Sequence, residues 1–172
     1  WETIPLLSST KISSMSRHNN YLFLLVNNAI QVYSKTRGFV VQTLAAPAGV
    51  TISKAAAGSA SLFARGTKSG SSLGDLYRVT YDSTNTSSPL GTTWADLSES
   101  DGIPAGEQLW NFFPHPTTAL LYVGWRDSSG SRFVDRLYVS DDQGETFTTT
   151  TQKFVPNSGC FSGASFIIGT AL

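Results

Sequence analysis

A single eight-residue stretch constrains the fold of this chain more than any other feature. It runs from Ser140 to Phe147 and reads Ser-x-Asp-x-Gly-x-Thr-Phe, directly after an apolar run of strand length. The side-chain oxygens of Ser140 and Asp142 are spaced to accept backbone N–H groups within a turn. Gly144 can adopt the positive φ that a tight reversal needs. Thr146 then restarts the strand, so the stretch predicts a rigid hairpin corner whose residues are structural.

Two degenerate copies of this stretch lie 53 and 106 residues closer to the N terminus. Both copies lack the aspartate but keep the serine, the glycine and a branched or aromatic residue at the eighth position. Sequence periods of about 40 to 50 residues are typical of propeller blades. The period predicts degenerate turns in the first copy, at Ser34, Gly38 and Val41, and in the middle copy, at Ser87, Gly91 and Trp94.

Apolar runs of strand length alternate with turn signals throughout the chain, which predicts an all-β fold. We expect four-stranded antiparallel blades of a β-propeller, with approximate blades at 1–48, 49–101 and 102–153 and the start of a further blade at 154–172. Three blades and a fraction do not close a ring and leave strand edges open. The ring is therefore expected to be incomplete, and the remainder of the same polypeptide or a second chain would complete it.

The middle unit is the least regular of the three. Strand residues are expected over 51–65 and 76–81, with an exposed Ser/Gly-rich loop over 66–74. A polar segment, 82–89, separates the third strand from Gly91. Either the hairpin in this unit is longer than in the others, or the repeat alignment slips here.

Charge and hydropathy exclude several classes of partner. Charged residues make up 14% of the chain, with 12 basic and 12 acidic side chains. Such a neutral balance gives no electrostatic basis for binding nucleic acid or an anionic membrane surface. No apolar run approaches the roughly 20 residues of a membrane helix, so no direct membrane insertion by this segment is expected. The start at Trp1, without a leader, suggests an excerpt or a processed product.

Two single residues bear on the cellular compartment. Cys160 is the only cysteine, and two interpretations stay open for it: a small buried core residue, or a half-cystine whose disulfide partner lies outside this chain. Asn85 begins an Asn-Thr-Ser acceptor for N-glycosylation in a turn-rich stretch. With the neutral, Ser/Thr-rich surface, this acceptor favours the secretory pathway lumen or the extracellular space.

The third unit resembles a known element, the Asp-box (BNR) repeat of sialidases, some glycoside hydrolases and the Vps10/sortilin receptors, all of which are β-propellers. The resemblance to Vps10/sortilin covers 109–161 and rests on the segments 112–116, 120–121 and 137–147 and on Cys160-Phe161. It implies a glycoprotein ectodomain that binds peptide or protein cargo in a central tunnel and sorts it between Golgi and endosomes. The cysteine-rich module that follows such propellers is absent from this sequence, and two of the three boxes lack their aspartate.

The alternative is an Asp-box glycoside hydrolase or sialidase, or a glycan-binding propeller. A sialidase resemblance would require an Arg-Ile-Pro segment, and Gly102-Ile103-Pro104 lacks the arginine. Glycoside hydrolysis needs two carboxylates flanking the scissile bond, and the acidic residues here fall mostly in loops or, like Asp142, in the turn. Neither His18 nor His115 has the spacing of a metal ligand. The sequence therefore predicts no catalytic residue, no cofactor and no metal.

The tryptophans are expected mainly as core. Trp94, Trp110 and Trp125 fit best between blades, where large aromatic side chains bury most of their surface. An alternative for Trp125, beside Arg126 at the mouth of a loop, is a platform for a ligand.

Overall fold

The computed structural model describes residues 11–98, 107–127, 134–150, 158–162 and 165–169. Every regular element in this part of the chain is a β-strand, which confirms the all-β class. No helix among these residues has the length and apolar character to cross a membrane. Expectations for 1–10, 99–106, 128–133 and 151–157, including the boundaries near 101 and 153, lie outside the described residues.

Twelve of the strands form three antiparallel four-stranded sheets, and the last two form a hairpin. The first sheet contains β1 (Ile12–His18), β2 (Tyr21–Val26), β3 (Ala29–Ser34) and β4 (Phe39–Ala45). The second sheet contains β5 (Val50–Ala57), β6 (Ser61–Lys68), β7 (Gly74–Thr80) and β8 (Ala95–Asp96). The third sheet contains β9 (Glu107–Pro114), β10 (Leu121–Asp127), β11 (Val134–Ser140) and β12 (Thr148–Thr149). The hairpin pairs β13 (Ser158–Ser162) with β14 (Ser165–Gly169).

Consecutive strands pair in chain order within each sheet, because local turn chemistry closes each hairpin. The clearest case joins β2 to β3, where Asn27 and Asn28 have φ values of 49° and 60°. A two-residue turn with both φ values positive twists in the same sense as the strands it joins, and asparagine tolerates this conformation. None of the sheets closes on itself among the described strands.

The sheets stack face to face, as the alternation of their buried side chains shows. Phe23 and Leu25 of β2 pack against the second sheet in one apolar cluster, whereas Leu24 and Val26 belong to a separate cluster on the opposite face. In β6, Leu62 faces the first sheet and its neighbour Phe63 faces the third. The second sheet therefore packs apolar side chains on both of its faces.

The first strands of successive sheets, β1, β5 and β9, lie side by side. The Ser14 hydroxyl of β1 bonds to the backbone of Ala55 in β5, and Ser16 accepts the Ala57 N–H at 3.0 Å. Lys54 of β5 reaches the Asn111 side chain of β9 with a distance of 2.6 Å between Nζ and Oδ1. Polar side chains thus link strands that share no backbone ladder.

The strand residues expected over 51–65 form two strands, β5 and β6, separated by a turn. The predicted bounds of the next loop were wrong. The loop predicted over 66–74 is confined to 69–73, because β6 continues to Lys68 and β7 already begins at Gly74. Gly66 is a strand residue over which the Tyr77 ring packs: an added Cβ would lie 2.8 Å from Tyr77 Cε2. Only a side chain as small as hydrogen fits there, so this glycine marks packing and not a loop.

Candidate functional site

The corner after β11 is held by a dense set of side-chain bonds. Ser140 Oγ accepts the Gly144 N–H at 2.8 Å and donates to Asp142 Oδ1 at 2.7 Å. The Asp142 carboxylate accepts the N–H groups of Glu145 and Thr146 and the Thr146 hydroxyl, at 2.9, 3.0 and 2.6 Å. Gly144 has φ +86°. The carboxylate is occupied by its own hairpin, so the corner is a structural device.

Hydrogen bonding decides the ionisation of this carboxyl. Burial by itself would raise the pKa of Asp142, but the bonds from the Thr146 side chain and backbone, the Ser140 hydroxyl and the Glu145 N–H outweigh it and lower the pKa to about 2. Donors that bond only to the charged form stabilise that form. Asp142 is therefore ionised at neutral pH and cannot serve as a general acid.

The first copy of the corner has a similar but simpler geometry. Ser34 ends β3 as Ser140 ends β11, and both pair with the first residue of the preceding strand, Tyr21 and Leu121 respectively. The Ser34 carbonyl accepts the Gly38 N–H at 2.8 Å, and Gly38 has φ +73°. Without the aspartate, fewer side-chain bonds hold this turn.

The middle copy does not follow the 53-residue register. The residue equivalent to Ser34 and Ser140 by strand pairing is Thr80, which pairs with Ser61 at the start of β6. Ser87 lies within the long connection after β7, not at a strand end. Gly91 donates to the Thr80 carbonyl, beside an isolated bridge between Tyr81 and Leu90. The degenerate turn predicted at Ser87 and Gly91 was wrong, because the hairpin in this unit is longer than in the other two.

The predicted core tryptophans differ in burial. Trp125 is 1% exposed within β10, so it packs as core and provides no ligand platform; the side chain of Arg126 lies outside the described residues. Trp94 is half-buried against the cluster between the first two sheets. Trp110 is 39% exposed on β9, which contradicts the prediction of a core position.

A cleft of about 480 Å³ lies along the first strands of the three sheets and the terminal hairpin. We call it the first-strand cleft. Its walls come from β1, β5, β9 and β13, and its lining includes Ser16, Lys54, Phe112, Phe113, Cys160 and Phe161. Concave, largely apolar surfaces with a few polar groups are the usual form of ligand sites.

Lys54 is the one charged side chain among the described residues that line this cleft. Its ammonium lies 5.1 Å and 5.2 Å from the ring centroids of Phe112 and Phe113. No described carboxylate forms an ion pair with it. Burial lowers the pKa of Lys54. A cation held over aromatic rings without an acidic partner provides an electrostatic basis for binding an anionic group.

The far wall of the cleft is anchored by an aromatic cluster between the third sheet and the hairpin. Phe166 stacks on Tyr122 with ring centroids 4.5 Å apart, and Phe161 meets the His115 ring edge-on at 4.4 Å. His115 is buried, and its Nδ1 accepts the Thr118 N–H at 3.1 Å. His115 thus has a structural role at the turn before β10.

The two residues that suggested a compartment are both on the surface. Cys160 is exposed on β13 and forms no disulfide within the chain, so the buried-core interpretation was wrong. Asn85 is exposed, and its Oδ1 accepts the N–H groups of Ser87 and Ser88 at 3.2 and 3.0 Å. These bonds use the side-chain oxygen and not the amide nitrogen to which a glycan would be attached.

Sequence reasoning missed Lys54. A lysine flanked by Ser and Ala in a strand has no motif around it, and its importance comes from Asn111, Phe112 and Phe113 of another sheet. The available signal was weak: Lys54 is the only charged residue in β5. Within the described residues no group of acidic, histidine or cysteine side chains could hold a metal ion. Neither a family model nor a curated protein matches this chain.

Proposed function

We propose that the three sheets and the hairpin are consecutive blades of an Asp-box β-propeller. Face-to-face stacking with the first strands side by side is the arrangement of blades around an axis, where the first strands line a central channel. The bonded corner between Ser140 and Thr146 supports the Asp-box assignment. The remaining blades would come from the remainder of the polypeptide or from a second chain.

We further propose that this propeller is the ligand-binding module of a Vps10/sortilin-like sorting receptor that takes peptide or protein cargo. The observation that carries the proposal is the first-strand cleft, with Lys54 above Phe112 and Phe113. A peptide offers the two features that this cleft complements, an apolar side chain and a carboxylate. A glycosidase fits the same cleft poorly, because none of its described lining residues carries a carboxylate and glycoside hydrolysis needs two.

The test compares peptides that differ only in charge. We expect the intact protein to bind peptides with glutamate beside an apolar residue more tightly than the same peptides with glutamine. Lys54→Gln should weaken the affinity for the glutamate peptides about tenfold or more, as expected for loss of a charged hydrogen bond. Lys35→Gln, in the exposed turn after β3, is the matched control and should have no effect. Equal retention by the Lys54→Gln protein, or hydrolysis of a fluorogenic sialoside or glucoside by the wild type, would overturn the receptor proposal.

The proposed receptor function implies that the protein is located in the secretory pathway lumen or the extracellular space. Asn85 lies in an exposed loop with its acceptor sequence intact. We expect protein secreted from eukaryotic cells to carry a glycan there. Digestion with an N-glycosidase should increase its electrophoretic mobility, and Asn85→Gln should abolish that shift. An unshifted wild-type band would count against this compartment.

A further inference from the structure

The first strand of each four-stranded sheet carries one β-bulge. The extra residues are Ser13 in β1, Ser53 in β5 and Trp110 in β9, each of which the pairing with the neighbouring strand skips. A bulge bends its strand and re-aims the side chains beside it. The three bulges therefore fall in the same layer of strands that lines the first-strand cleft.

The bulge at Ser53 determines which way Lys54 points. Ile52 packs toward the first sheet, and strict alternation would turn Lys54 to that same face. The extra residue shifts the alternation by one position, so Lys54 points to the third sheet, where it bonds to Asn111 and lies over Phe112. The chain thus departs from regular strand geometry at the point that brings this lysine into the first-strand cleft.

A second cation lies directly opposite the first. Lys54 of β5 is paired in the strand register with Arg65 of β6. Arg65 reaches the same strand of the third sheet, because its Nε donates to the Leu109 carbonyl at 2.9 Å. Its Nη1 lies 3.4 Å from Ser53 Oγ. These bonds use two of the five N–H donors of a guanidinium, so donors are left for an anionic group. We call Lys54 and Arg65 the paired-cation site.

The paired-cation site carries an excess of positive charge. Like charges directly opposite each other in a sheet are destabilising. Neither Lys54 nor Arg65 forms an ion pair with a carboxylate of the described residues. Both residues are half-buried, so water screens their repulsion incompletely. An arrangement that opposes folding and has no described counter-charge favours an anionic ligand as its partner.

The two cations contact alternate residues of β9. Arg65 bonds to Leu109 and Lys54 bonds to Asn111, and the bulged Trp110 lies between these contacts. Trp110 is 39% exposed, so this part of β9 is open to a ligand. Alternate residues of an extended chain lie roughly 7 Å apart and point to the same side. Two carboxylates on alternate residues of an extended peptide repeat this spacing, so each can bond to one cation.

We propose that the paired-cation site binds two acidic side chains on alternate residues of an extended peptide, with one carboxylate on Lys54 and the other on Arg65. This binding mode rests on the peptide-binding function proposed above and adds the pattern of the cargo. The pattern is an acidic residue, any residue and a second acidic residue, beside the apolar residue that the first-strand cleft takes. Arg65 is the specificity residue, because the guanidinium matches a carboxylate more directionally than an ammonium does.

The experiment varies the spacing of two glutamates at constant composition. Three synthetic peptides contain one leucine, two glutamates and alanines, with the glutamates adjacent, one residue apart or two residues apart. Fluorescence-anisotropy titrations with the full chain give the affinities. The peptide with its glutamates one residue apart should bind about fivefold more tightly than the other two. This comparison is made on the wild type and needs no substitution in the protein.

Substitutions then assign the second glutamate to Arg65. Arg65→Gln should remove the spacing preference and keep the preference for a single glutamate over glutamine, which depends on Lys54. Arg65→Lys keeps the charge without the planar fork and should retain a reduced spacing preference. Arg37→Gln, in the exposed turn after β3, is the matched control and should bind the three peptides as the wild type does.

Equal affinity of the wild type for the three spacings would overturn the acidic-pair proposal, and so would a spacing preference that survives Arg65→Gln. Either result would leave peptide binding through Lys54 standing. If none of the peptides binds, the acidic-pair proposal and the receptor proposal are both overturned.

Discussion

Single residues in this protein act mainly through hydrogen bonds to the backbone that follows them. Asp142 accepts from Glu145 and Thr146, and Asn85 accepts from Ser87 and Ser88 in the same manner. In each case a short polar side chain replaces the bonds that a strand would otherwise provide. These side chains define where strands end, because their oxygens accept hydrogen bonds from the residues of the same turn.

Replacing Asp142 with Ala should lower the free energy of unfolding by about 1–2 kcal/mol, because the Thr146 and Glu145 donors lose their acceptor. Its folded-state pKa lies below the ordinary value of 3.8. The carboxylate therefore stabilises the fold fully above about pH 4, and this contribution is lost as the pH falls toward 2. Urea melts of the wild type and of Asp142→Ala across that range should converge at low pH. The exposed neighbour Asp141→Ala is the control, and an equal loss there would contradict the assignment.

Gly144→Ala should be more destabilising than Gly70→Ala, although both glycines have positive φ, +86° and +82°. Each alanine would carry the cost of a left-handed conformation, about 1–2 kcal/mol. At Gly144 the new Cβ would also lie 2.9 Å from Leu97 Cδ1, whereas nothing lies within 4 Å at Gly70. Thermal melts of the two variants would measure the difference, and equal losses would show that Leu97 moves aside freely.

Among the secondary-structure elements, the hairpin after β11 is also hydrogen-bonded to the neighbouring sheet. Arg78 of β7 donates to the Gln143 carbonyl at 2.9 Å, and its guanidinium lies 2.5 Å from Glu145 Oε1. The arginine side chain is only 16% exposed, while that of Glu145 is 62% exposed. The attachment of this hairpin to the second sheet therefore depends more on the buried hydrogen bond to the backbone than on the ion pair at the surface.

Arg78→Met should accordingly cost about 1.5–3 kcal/mol, since it removes a charged donor from the Gln143 carbonyl and keeps the apolar stem. Glu145→Gln removes only the exposed partner and should cost less than about 1 kcal/mol. Chemical denaturation of both variants gives the comparison. If Glu145→Gln proved as damaging as Arg78→Met, the surface ion pair would be the dominant contact.

At the scale of the whole molecule, the terminal hairpin differs from the units before it. It has two strands among the described residues, and the other units have four. One face packs its rings, Phe161 and Phe166, on the third sheet, while Ile167 is 53% exposed on the other face. Unpaired strand edges beside exposed apolar side chains favour association with a further chain segment.

We expect residues 1–172 alone not to behave as a stable monomer. Size-exclusion chromatography with light scattering should give a mass above that of one chain. Ile167→Lys should reduce the association, because it places a charge on the exposed face. Ser165→Lys, at an exposed position on the same strand, controls for added charge. A monomeric wild type with one cooperative melt would contradict the expectation.

Features whose causes lie within a few residues could be predicted from the amino-acid sequence. The pair Asn27-Asn28, the Ser140–Gly144 corner and the all-apolar run of β2 each specify their own conformation through turn geometry or strand pattern. The all-β class followed from such local signals, and so did the structural role assigned to Asp142.

Contacts between side chains that are distant in the chain could not be predicted and are defined by the packing of the sheets. Trp110 and Trp125 look alike in the sequence, yet one is 39% and the other 1% exposed, because β9 and β10 turn them toward different surroundings. Lys54 became a candidate through Asn111, 57 residues away. The 53-residue repeat also did not predict the length of the hairpin after Thr80. Burial and contacts between sheets depend on residues distant in the chain, and no local pattern encodes them.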